Sequence, residues 1–143
     1  MFIYQCSQGS CELDATLPDP VEYSSAQFGY RLALVELNGA VVAVATMPAV
    51  NSNQGAVLIN TCPSGESCVD GGVFVVDAPG PYVPAAAFGT QLSVIADQDQ
   101  GVFYMAVGSA ADIPLYVFAC NISTYSCAAQ GDVYDTGTVQ NIN

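Results

Sequence analysis

The stretch FGYRLAL at residues 28–34 returns as FGTQLSV at residues 88–94, 60 residues further along the chain. In both copies Phe-Gly introduces a run with apolar side chains on alternate places. These are Tyr30, Leu32 and Leu34 in the first copy and Leu92 and Val94 in the second, with Arg31 and Ala33 falling between the first set. Alternation with a period of two places successive side chains on opposite faces of a β-strand. Recurrence at a fixed long interval is the mark of a repeated supersecondary unit.

The cysteines keep nearly the same interval. They fall as Cys6/Cys11, Cys62/Cys68 and Cys120/Cys127, the first members of successive pairs lying 56 and 58 residues apart. Six cysteines allow many pairings, but pairs that recur once per repeat close most economically on themselves. The expected bonds are therefore Cys6–Cys11, Cys62–Cys68 and Cys120–Cys127, each stapling the end of a hairpin. Each contributes roughly 2 kcal/mol by the loop-entropy estimate. Zinc is the competing use of cysteine, but it favours closer spacings and often histidine, and this chain has no histidine. Disulfides place the chain outside the cell or at its surface. Asn121-Ile122-Ser123, inside the last cysteine loop, fits the N-glycosylation pattern and agrees with that compartment. Asn51-Ser52-Asn53 and Asn60-Thr61-Cys62 do not fit it.

Laid out on this interval, the chain reads as one half set of strands (1–27) and two full sets (28–87 and 88–143), forming a single repeat domain. FIYQC (2–6), LINTC (58–62) and YVFAC (116–120) each run into the first cysteine of a pair. CELDATL (11–17), GVFVVDA (72–78) and GDVYDTGTV (131–139) follow the second. VVAVATMPA (41–49) and FYMAVGSAA (103–111) follow the Phe-Gly strands, and the proline-rich stretches 17–27 and 78–87 lead into them. Enrichment in Val, Ile, Tyr and Phe, punctuation by Gly, Pro and Asn, and the lack of a helical stripe predict an all-β chain of tandem four-stranded antiparallel sheets. VVAVA is apolar on both faces, as an inner strand packed between neighbouring sheets would be. Gly29 and Gly89 are expected where the backbone bends or another strand comes close.

These residues resemble the FG-GAP repeats of integrin-alpha-type β-propellers. The resemblance is carried by Phe28-Gly29 with Leu32-Ala33-Leu34 and by Ala43-Val44-Ala45-Thr46-Met47-Pro48. In the second copy it is carried by Phe88-Gly89 with Leu92-Ser93-Val94 and by Ala106-Val107-Gly108-Ser109-Ala110. It implies that the sheets are propeller-like blades, about two and a half of them, too few to close a ring. Many such blades carry an Asp-rich calcium loop between their first two strands. Here that place holds Glu36-Leu37-Asn38-Gly39 and Asp97-Gln98-Asp99-Gln100-Gly101. The first is poor in carboxylates and the second is one residue short before its glycine, so acidic hairpin turns are expected and no cofactor is assigned.

Composition narrows function by exclusion. The chain of 143 residues carries a net charge of −12, with Arg31 its single cation. Nothing is available to displace phosphate counterions, which excludes nucleic acid, and an anionic membrane surface is disfavoured for the same reason. The apolar runs are too short to span a bilayer as a helix. MFIYQCSQ lacks the basic stretch and apolar core of a signal peptide, so the numbered chain reads as a mature product or part of a longer precursor. Asp135-Thr136-Gly137 within VYDTGTV (133–139) copies the aspartic-protease signature, but six residues follow it, too few for the rest of a protease lobe. Without histidine or lysine, activated Ser or Cys chemistry lacks its usual base. The carboxylates Asp97 and Asp99 read as turn acids rather than a glycosidase pair. Tyr4, Tyr23, Tyr30, Tyr82, Tyr104, Tyr116, Tyr125 and Tyr134 are spread through the strands, as amphipathic sheet residues rather than one sugar-stacking platform.

Only 10% of residues are charged against 52% hydrophobic, where a free soluble domain carries about 25% charged. With the open strand edge of the half set, this predicts a non-enzymatic extracellular structural protein. Its partners are copies of itself in a self-assembling filament or surface appendage, and other extracellular proteins or glycans remain open as further partners. The alternative is a ligand-binding propeller fragment of a cell-adhesion receptor.

Overall fold

A computed structural model describes residues 2–7, 9–16, 27–63, 68, 72–79, 87–110 and 115–133. Among them are ten strands in three antiparallel sheets. The N-terminal hairpin pairs β1 (Phe2–Ser7) with β2 (Ser10–Thr16). The first four-stranded sheet runs in the order β3 (Leu32–Leu37), β4 (Ala40–Met47), β5 (Ala56–Cys62), β6 (Val73–Asp77). The second repeats the meander with β7 (Gln91–Asp97), β8 (Val102–Gly108), β9 (Leu115–Asn121) and β10 (Ser126–Val133). None of the sheets closes on itself.

The strands follow from their sequences. β3 and β4 are joined through Asn38-Gly39, both at positive φ (52° and 80°), the backbone that a two-residue hairpin turn requires. β4 has strands on both sides and is buried from Val42 to Met47, in keeping with its lack of a polar face.

Phe-Gly itself lies outside the strands it announces. Phe28-Gly29 and Phe88-Gly89 form turns that deliver the chain into β3 and β7, so those strands start at Leu32 and Gln91 rather than at the phenylalanines. The two turns are conformational copies. Gln27 and Ala87 take φ of 55° and 48°, and Gly29 and Gly89 take 79° and 100°. The Gly29 N–H donates to the Thr46 carbonyl at 3.0 Å, and the Gly89 N–H to the Gly108 carbonyl at 2.9 Å. The Tyr30 and Thr90 amides donate back to the carbonyls of Gln27 and Ala87. One short helical turn, Val50–Asn53, precedes β5, and its Asn51 and Ser52 have left-handed backbone angles.

A second boundary also moves. β10 begins at Ser126, ahead of Cys127, and not at Gly131; a register shift between Ala129 and Gly131 interrupts it. Residues 134–139 of the expected strand lie outside the described residues.

The two four-stranded sheets pack face to face over one core. The first contributes Leu37, Val42, Val44, Val57 and Ile59, and the second Phe103, Met105, Val107, Phe118 and Cys120, with Phe88 from the turn between them. The sheets approach each other along β3 and β7. Phe88 stands edge-on to Tyr116 and Phe118, with ring centroids 6.0 and 6.1 Å away.

Candidate assembly surface

Strand alternation assigns every side chain of the two sheets to a face, and the assignment is asymmetric. On β3 it is Ala33, Val35 and Leu37 that meet the second sheet. Leu32 and Leu34 point the other way and are 58% and 70% exposed. On β7 the core side is held by Leu92, Val94 and Ala96, while Ile95 points away from the first sheet and is 67% exposed. Leu32 and Leu34 correspond by the Phe-Gly repeat to Leu92 and Val94. The first sheet therefore uses one face for the contact and the second sheet uses the opposite one.

The cysteine strands show the same relation. Tyr116, Phe118 and Cys120 of β9 face the first sheet. Their equivalents on β5 are Leu58, Asn60 and Cys62, which lie on the face of the first sheet turned away from the second. Ile3 of β1 packs against Cys62 and Cys68 there, and the Asp14 carboxylate of β2 accepts the Cys68 amide at 3.2 Å. Ile3 corresponds to Ile59, which faces the second sheet. The N-terminal hairpin thus sits on the first sheet as the first sits on the second: front of one unit against back of the next.

The pattern is incomplete at both ends. On the back of the first sheet Ala43, Ala45 and Leu58 are buried, but Leu32, Leu34, Val41 and Val73 at its margins are exposed. Phe28 is only partly buried, whereas its equivalent Phe88 is 1% exposed. On the hairpin, Phe2, Tyr4 and Leu13 are exposed. On the front of the second sheet Ile95 stands beside half-buried Tyr104 and Ala106, and Asp97, Gln98 and Asp99 border a shallow depression next to Ile95 and Tyr104.

Polar contacts lock the junction between repeats. The Arg31 Nε donates to the Thr90 carbonyl at 3.1 Å, and its guanidinium lies 5.2 Å from the centre of the Tyr30 ring. The carbonyls of Asn53 and Gln54 accept the amides of Ala87 and Phe88 at 2.7 and 2.9 Å. At the other end of the strands the Gln98 side chain clasps the β3–β4 turn, accepting the Asn38 amide at 2.8 Å and donating to the Glu36 carbonyl at 2.6 Å.

The remaining sequence candidates fall as follows. Cys62–Cys68 and Cys120–Cys127 are disulfides. Cys11 is also disulfide-bonded and lies opposite Cys6 in the hairpin register, but the Cys6 side chain is outside the described residues. The Asn121 Oδ1 accepts the amides of Ser123 and Thr124, fixing the sequon at the head of the β9–β10 turn. Asp97 accepts the Gln100 amide within its own turn, and Asp99 is exposed. Among the described residues no three His, Cys, Asp or Glu groups lie together as a metal site, and no helix is long and apolar enough to cross a membrane. Asp135, Thr136, Gly137, Tyr23, Tyr82 and Tyr134 lie outside the described residues. Tyr4, Tyr30, Tyr104, Tyr116 and Tyr125 are dispersed over three sheets and two turns and form no single platform.

No protein family, curated protein or solved structure matches the chain.

Proposed function

We propose that this protein is a non-enzymatic extracellular structural subunit, which joins copies of itself into a filament or cell-surface appendage through FG-GAP-like β-blades. The observation that carries this reading is the unequal cover of repeat-equivalent residues. Phe28, Leu32 and Leu34 take the same places as Phe88, Leu92 and Val94, yet only the second set has a sheet against it. Exposed apolar faces and sheet edges favour association because covering them removes apolar surface from water. The scarcity of charge and the disulfides support the same reading outside the cell. A glycan on Asn121 would project from the β9–β10 turn and add solvation where charged side chains are few. Front-to-back contacts are heterologous, so they propagate into a ring if the rotation closes and a filament if it does not. Electron microscopy of native material purified without denaturant tests the proposal. Rings or filaments are expected; a field of single small particles at high concentration would instead favour the receptor-fragment reading.

A further inference from the structure

We infer that a second copy of this chain docks the front of its β7 onto the back of β3, pairing Ile95 of one copy with Leu32 and Leu34 of the next. This rests on the self-assembly proposed above and names the surfaces that carry it. Within one chain, the front of β3 (Ala33, Val35) lies against the back of β7 (Leu92, Val94). Moving one repeat forward converts the first pair into Ser93 and Ile95. Moving one repeat back converts the second pair into Leu32 and Leu34. Both converted sets are the exposed ones: Leu32, Leu34 and Ile95 among the large apolar residues, with Ser93 beside them. The two uncovered surfaces are thus the halves of a contact that the chain already makes once internally. Continuity with that interface is what selects another copy as the occupant.

The neighbouring strands agree. Tyr104 and Ala106 stand beside Ile95 and Ser93 on the front of the second sheet, where the first sheet places Val42 and Val44 against its neighbour. The N-terminal hairpin occupies the back of the first sheet near Cys62 and Cys68, on the β5 side. The β3 edge lies on the other side of that sheet, so the hairpin leaves it open to an incoming β7.

The surfaces differ, so two complementary single variants decide the question. Leu34→Asp disables the back and leaves the front intact, and Ile95→Asp does the reverse. Thr124→Asp, in an exposed turn, controls for the added charge. Sedimentation velocity of each alone and of an equimolar mixture is the readout, with circular dichroism confirming the fold. Leu34→Ser and Ile95→Ser serve if either aspartate variant fails to fold. The native chain and Thr124→Asp are expected to assemble and each face variant alone to remain a monomer. The mixture is expected to double in mass and stop there, because each heterodimer has one native contact and two disabled ends. Dimers of either face variant alone, or a mixture that stays monomeric while both are folded, would overturn the pairing. A native chain that never assembles would overturn the proposed function, and this contact with it.

Discussion

Leu34 and Val94 occupy the same place in successive repeats, each second from the same face of an edge strand, and only Val94 meets another sheet. Their chemistry is nearly the same, so the difference lies in the neighbour. Aspartate at position 34 should change monomer stability by no more than about 0.5 kcal/mol, as at exposed positions generally. Aspartate at position 94 sets a carboxylate against the core and should cost about 2 kcal/mol or more. Urea unfolding of the two monomers checks the contrast, and equal losses would show that β3 has cover of its own.

Gly55 and Phe88 define the tightest point of the repeat junction. Gly55 has φ of 89°, and a Cβ there would collide with the Phe88 backbone. Gly55→Ala combines left-handed strain with displacement of a turn that anchors the second sheet, and should cost about 2 kcal/mol or more. A lowered urea midpoint with an unchanged spectrum is the expected result.

Cys120 and Cys127 face each other across β9 and β10 and close a loop of sequence separation 7. Replacing both with Ala should remove roughly 2 kcal/mol by the loop-entropy estimate. For a urea slope of about 1–3 kcal/mol per molar, the midpoint falls by about 1 M. Peptide mapping without reduction should recover Cys62 with Cys68 and Cys120 with Cys127.

Much of this architecture was legible in the chain because each repeat carries its own punctuation. Phe-Gly, the Ala-Val run and the cysteine pair recur at nearly constant intervals, and they mark the two four-stranded meanders and the leading hairpin. The face each strand covers was not legible. Leu32-Ala33-Leu34 and Leu92-Ser93-Val94 show the same alternation, and whether a leucine is covered depends on a sheet some 60 residues away in sequence or absent from the chain. The left-handed turn at Asn51-Ser52 was missed for a different reason. Asn tolerates that backbone in many contexts, and only the docking of Phe88 on Gln54 shows why it is used here.

Copies carrying a net charge of −12 repel one another. Screening shortens the reach of that repulsion to about 10 Å at 0.1 M salt, while apolar contacts persist. Assembly should therefore strengthen between ~0.01 and ~0.15 M sodium chloride. Light scattering across that range is sufficient, and dissociation on adding salt would mean that ion pairs hold the copies together.

The central claim is that the exposed Leu32/Leu34 and Ile95 faces are covered by other copies of the chain. Sedimentation velocity of the native protein over a wide concentration range, without denaturant and with the disulfides intact, tests it most directly. The account predicts species that grow with concentration well beyond the 14.8 kDa monomer. A single sharp boundary at the monomer mass, unchanged at the highest concentration reached, would contradict it.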